Sequence, residues 1–105
     1  MATHTGKGPI RTAIVGLGRA GWSIHAADLK DRADYKIVAC VDPDQERRKE
    51  AERVLGCRTY SGWKEFLKDP GETELAIIAT ANDMHTPMSM AGLKAGLHVL
   101  TEKPV

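Results

Sequence analysis

The run Thr12-Ala-Ile-Val-Gly-Leu-Gly-Arg-Ala-Gly21 constrains the fold more than any other stretch of the chain. A short apolar strand, Ala13 to Val15, feeds straight into Gly16-x-Gly18-x-x-Gly21. Each glycine at that spacing answers a separate steric demand. The first permits a tight turn, the second lets backbone approach a pyrophosphate, and the third seats the next helix close against the strand. That helix, expected from about Arg19 to Lys30, aims its free N–H groups and positive dipole end at the phosphates. A second apolar run, Ile37 to Val41, ends at Asp42, 21 residues beyond Gly21, where a carboxylate meets the adenosine ribose hydroxyls. Glycines alone would describe an ordinary turn. With the strand before them and the acid at that distance, they predict a dinucleotide site built from Gly16, Leu17, Gly18, Arg19, Ala20, Gly21 and Asp42.

The length of 105 residues allows a single domain with one core. Residues 1–11 are polar, contain Gly6, Gly8 and Pro9, and read as a mobile tail ahead of a domain over 12–105. A formal net charge of +1, with no basic face or run, argues against nucleic acid or an anionic membrane as partner. No apolar stretch approaches the roughly 18 residues of a membrane span, and no apolar signal core precedes the first strand. The two cysteines lack metal-ligand spacing, so reduced thiols in a cytoplasmic protein are expected.

Helix and strand patterns alternate along the rest of the chain. In the helix after the glycine loop, Ala20, Ile24 and Ala27 share a face; Trp22 either covers the cofactor or packs on a loop, and His25 reads as solvated or capping. Asp42-Pro-Asp44 opens a second helix, with Pro43 near its first position, Asp44–Arg48 and Glu50–Arg53 as exposed pairs, and Ala51, Val54 and Leu55 as buried stripe. Gly56 stops it. A short strand over 57–60 follows, then a helix capped by Ser61 that buries Trp63, Phe66 and Leu67. Leu75 to Thr80 is continuously apolar, as a strand covered on both faces requires. A loop over 81–85 leads to a helix starting at Thr86-Pro87, with Met88, Ala91 and Ala95 inward, and ending at Gly96. Its methionines read as packing. The last strand, Leu97 to Thr101, includes His98 in a structural role and runs into Glu102-Lys103-Pro104. Such alternation predicts an α/β, doubly wound parallel sheet of Rossmann type, order 3-2-1-4-5, with ligand at the carboxyl ends of the strands.

With these residues in place the chain resembles the N-terminal domain of the glucose–fructose oxidoreductase and inositol dehydrogenase family (Gfo/Idh/MocA). The likeness covers about residues 10–105 and rests on Ala13 to Gly21, Val41-Asp42, Ile78 to His85 and Ala95 to Pro104. The Glu-Lys-Pro after a fifth strand is its most specific element. The resemblance implies a nicotinamide cofactor held by Gly16 to Gly21 and Asp42; the Asp42 carboxylate favours NAD over NADP, whose 2′-phosphate would meet a like charge. Thr80, Asn82 and His85 then line the path to the nicotinamide, although His85 is equally suited to capping a helix. Lys103 stands beside the nicotinamide and the reacting carbon of a sugar or cyclitol, with Glu102 either touching the cofactor or orienting Lys103. Ala81 replaces the family's usual proline. Independently, a lysine before proline is pushed to extended backbone, and an ammonium in a closed site can exchange a proton with a hydroxyl.

The implied function is that of an NAD-dependent dehydrogenase acting on a secondary hydroxyl of a sugar, sugar acid or cyclitol. A non-catalytic NAD sensor and an NAD-dependent glycoside hydrolase are the alternatives. Family members continue through a sixth strand into a C-terminal α/β domain and commonly assemble as homo-oligomers. The expectation is therefore a fragment ending before that sixth strand.

Overall fold

The computed structural model describes residues 8–18, 32–79 and 85–101, with side chains in the last segment from Met88 onward. Five strands, β1 (Ile10–Val15), β2 (Tyr35–Val41), β3 (Arg58–Tyr60), β4 (Leu75–Ile78) and β5 (His98–Thr101), form one sheet. All pairings are parallel and the order is β3-β2-β1-β4-β5, as expected. Three helices lie among them: α1 (Gln45–Leu55), α2 (Trp63–Lys68) and α3 (His85–Lys94). The helix expected after the glycine loop falls on residues outside the described ones.

Alternate residues of each central strand supply two apolar layers, because successive side chains of a strand point to opposite faces. Ala13, Val15, Val41, Ala76 and Ile78 face one way, joined by Phe66 of α2 and Met88 of α3. Ile14, Cys40 and Ile77 face the other way, with Leu17 and with Ala51 of α1. A shift in register between Thr12 and Ala13 skips Val38 in the β1–β2 pairing. That bulge puts Ile37 on the α1 face with Cys40, where strict alternation would place it with Ala39.

β1 starts at Ile10, two residues before the expected start of the domain at Thr12, so Ile10 and Arg11 belong to the sheet and not to a tail. Backbone pairing decides this: Ile10 donates its N–H to Asp34 O at 2.9 Å, and Arg11 lies opposite Lys36. Arg11 also binds the buried carboxylate of Glu74, with Nε 2.9 Å from Oε1. α1 begins one residue later than the proline suggested. Asp44 is its N-cap, accepting from the N–H of Glu46, and Gly56 ends it in a left-handed conformation, φ 64°. Its buried stripe is narrower than expected, since Val54 is 44% exposed. Arg48 pairs differently too, donating to the carbonyls of Asp42 (2.8 Å) and Pro43 (2.9 Å) instead of meeting Asp44.

Gly62, not Ser61, precedes α2 as N-cap. The aromatic cluster it carries is as expected: Phe66 is fully buried, stacked on Trp63 (5.4 Å) and edge-on to Tyr60 (5.3 Å). α3 starts at His85, one residue early, and approaches β5 closely at Gly92. A Cβ there would come within 2.9 Å of Val99 and 3.4 Å of the Trp63 ring. Ala95 is exposed, not inward, because the helix has already ended at Lys94.

Phe66→Ala removes the one large side chain shared by α2, β3 and the sheet, and should cost about 3–5 kcal/mol. Val54→Ala on the exposed side of α1 should stay within about 0.5 kcal/mol. Urea unfolding midpoints of the two variants check the pair.

Candidate functional site

The carboxyl ends of β3, β2, β1 and β4 are tied together by backbone bonds that step across the sheet. Asp42 N–H donates to Tyr60 O (3.0 Å), Gly16 N–H to Val41 O (2.7 Å), and Ala79 N–H to Val15 O (2.8 Å). The glycine turn leaves β1 from this edge. Gly16 has φ 93°, a conformation that side chains strongly resist, so the turn needs glycine there.

Behind the turn sits Asp42, only 4% exposed. A buried carboxylate is costly unless its oxygens are hydrogen-bonded, and both of these are. Oδ2 accepts the backbone N–H of Leu17 at 2.7 Å, and Oδ1 accepts that of Asp44 at 2.8 Å. The guanidinium of Arg47, on the first turn of α1, lies 3.7 Å from Oδ2 and 3.8 Å from the Asp44 carboxylate. One carboxylate therefore fixes the glycine turn, the end of β2 and the start of α1 in mutual position. Leu17 anchors the turn from below, 3% exposed in the α1-side apolar layer.

Sequence reasoning placed Leu17 against the pyrophosphate; here its amide is given to Asp42. The structure also brings Arg47, one helical turn beyond the acid in sequence, to the Asp42 carboxylate itself. The signal for this was present: residue 47 follows N-cap Asp44 by three positions, which returns it to the cap's side of the helix. Among the described residues, a Cβ built on Gly18 would meet only the Arg47 guanidinium, at 3.7 Å.

β4 and β5 end level, with Ile78 paired to Thr101, and the backbone of α3 starts at His85 after β4. Of the other site residues expected, Arg19, Ala20, Gly21, Thr80, Asn82, Glu102 and Lys103 lie outside the described residues, and so does the His85 side chain. Among the described residues no cluster of three or more acidic, histidine or cysteine side chains could hold a metal ion.

The model of an oxidoreductase family with an NAD-binding Rossmann fold, Gfo/Idh/MocA, matches residues 10–105. The chain belongs to this family. Myo-inositol 2-dehydrogenase of Thermotoga maritima is 32% identical over 97 residues, 91% of this chain and 28% of that protein. The crystal structure of myo-inositol 2-dehydrogenase from Lactobacillus plantarum superposes with a TM-score of 0.82 at 32% identity, covering 91% of this chain and 28% of the other. The WlbA dehydrogenase from Bordetella pertussis, solved with NADH and UDP-GlcNAcA, gives 0.81 at 26% identity, covering 89% and 29%. The chain thus spans less than a third of the length of each of these relatives.

Asp42→Ala leaves the N–H groups of Leu17 and Asp44 without their acceptor, and should destabilise the ligand-free chain by about 1–3 kcal/mol. Chemical denaturation at neutral pH gives the comparison. An unchanged stability would mean that the carboxylate does not hold the turn.

Proposed function

We propose that the chain is the cofactor-binding part of an NAD-dependent dehydrogenase acting on a secondary hydroxyl of a sugar, sugar acid or cyclitol. The observation that carries this is the Leu17–Asp42 bond, which holds a positive-φ glycine turn at the carboxyl edge of the sheet, where no described residue crowds Gly18. Membership in the Gfo/Idh/MocA family and the dehydrogenases similar to it support the same reading.

The residues present fit a dinucleotide. Gly18 leaves room for a pyrophosphate, and a carboxylate has about four acceptor positions, of which Leu17 and Asp44 take two. The remainder are available to ribose hydroxyls. When bound, NAD supplies the hydride acceptor. Gly16 to Gly21 hold the phosphates, Asp42 accepts the adenosine ribose, and Thr80, Asn82 and His85 line the way to the reacting end. Lys103 holds a proton at the substrate oxygen and exchanges it as the hydroxyl becomes a carbonyl, with Glu102 beside it. Assembly as a homo-oligomer in the cytoplasm belongs to the same proposal. The apolar Met90, Leu93 and Leu100, each about half exposed on α3 and β5, support a face covered by another surface. No helix among the described residues is long and apolar enough to cross a membrane.

Calorimetric titration with NAD and NADP tests the cofactor assignment. NAD should bind tighter, because a 2′-phosphate would meet the Asp42 carboxylate, and Asp42→Ala should narrow the gap by leaving Arg47 as the nearest described charge. Gly18→Val should abolish NAD binding while stability is kept, since among the described residues a Cβ there meets only the Arg47 guanidinium, at ordinary contact distance. Normal binding by that variant would put the phosphate site elsewhere.

In the active protein, Lys103→Met should lower turnover on a polyol about a hundredfold or more, with NAD affinity little changed. Steady-state NADH formation and a cofactor titration separate the two effects. Equal turnover would remove Lys103 from the proton transfer.

A further inference from the structure

The chain has two cysteines, Cys40 and Cys57, which the dinucleotide site does not use. Cys40 is fully buried in β2, in the apolar layer with Ile14, Ile37 and Ala51. Cys57 is half-buried in the turn that joins α1 to β3. Both are free thiols, and their sulfurs are 3.6 Å apart. The strand register produces this contact. Cys40 pairs with Thr59, whose hydroxyl bonds to Glu52 of α1, so both residues look toward α1. Two positions upstream of Thr59, Cys57 returns to that same face and packs into the layer that contains Cys40.

We propose that Cys40 and Cys57 form an oxidative modification site, at which a peroxide converts the thiol pair to an intramolecular disulfide. The roles of the two sulfurs follow from their surroundings. A hydrogen bond from the Cys40 thiol stabilises the Cys57 thiolate and lowers its pKa below the ordinary thiol value. The same bond, together with burial, pushes Cys40 upward, so Cys40 keeps its proton. Cys57 is also the more exposed of the two, and it is the thiolate that reacts with peroxides.

In the first step the Cys57 sulfur attacks one peroxide oxygen and the O–O bond breaks. Cys57 becomes a sulfenic acid, and the departing hydroxide takes up the proton that Cys57 had released, giving water. In the second step the Cys40 sulfur attacks the Cys57 sulfur. The S–S bond forms, the S–O bond breaks, and the Cys40 proton leaves with that hydroxide as a second water. Two thiols and one peroxide become one disulfide and two waters, with the peroxide as oxidant. Closing the sulfurs from 3.6 Å to about 2.05 Å needs a shift of about 1.5 Å. Cys40 is held in mid-sheet, so the movement falls to Cys57, which lies beyond the end of α1 and before the three-residue edge strand β3.

The experiment uses the unmutated full chain, reduced, freed of reductant and treated with hydrogen peroxide under native conditions. Intact mass and maleimide labelling after denaturation are the readouts. The expected product has lost two hydrogen atoms, accepts no maleimide, and regains two maleimide-reactive thiols after dithiothreitol. Peptide mapping should join the Cys40 peptide to the Cys57 peptide. In Cys40→Ala the same treatment should instead add oxygen to Cys57, because the second sulfur is gone. An unmutated chain that gains oxygen on Cys57, forms disulfide-linked dimers, or keeps two reactive thiols would overturn the proposal; oxygen mapped to methionine does not count. These outcomes need no variant to fold and do not depend on whether the chain binds NAD.

Discussion

The hydrogen bond from the Leu17 amide to the Asp42 carboxylate is the interaction on which the rest of the carboxyl edge depends. It lies in a buried setting, where low polarity strengthens a charge-assisted bond and makes its loss expensive. Among the described residues, the turn's other ties to the sheet are its own chain, the Gly16 amide and the buried Leu17 side chain. With the Asp42 bond, the turn, the end of β2 and the start of α1 share one anchor. The same carboxylate also meets the Arg47 guanidinium, 3.7 Å from its Oδ2. Structural anchoring and recognition of a ribose are compatible because a carboxylate has more lone pairs than two backbone amides use.

Much of this was legible in the residues. The glycine spacing and the acid at position 42 marked the strands β1 and β2, the apolar runs ending at Thr80 and Thr101 marked two more, and the short strand over 57–60 was placed between two helices. Their order followed from parallel topology, which needs crossovers and places the ligand edge at one end of the sheet. What escaped notice depends on contacts between segments far apart in sequence. Ile10 and Arg11 look like tail because Arg11 is charged, yet its partner Glu74 is 63 residues away. Val38 lies in an apolar run like its neighbours, and only the pairing with β1 shows that it is skipped. Val54 fits a helical stripe, but Ala51 and Leu55 are the α1 residues that meet the core, and Val54 stays exposed.

The site divides along the same line. Gly16 and Asp42 were readable because each answers a local demand, one for a backbone conformation and one for a charge at a strand end. The link between them was not readable, since an amide at residue 17 and a carboxylate at residue 42 meet only through the β1–β2 pairing. Arg47 belongs to both categories: its spacing from Asp44 is local, while its approach to Asp42 depends on how Asp44 caps α1. The Cys40–Cys57 contact likewise exists because of the β2–β3 register, which neither cysteine reveals alone.

The central claim is that Leu17, Gly18 and Asp42 form one unit against which the cofactor lies. Backbone amide spectra of the 15N-labelled chain, recorded during titration with NAD, test it most directly. The account predicts saturable shifts of the Leu17, Gly18 and Asp42 amides with a common midpoint, while those of Phe66 and Leu67, on the other apolar layer, stay in place. Saturable shifts confined to α1 or α2, with the Leu17 and Gly18 amides unmoved, would contradict it.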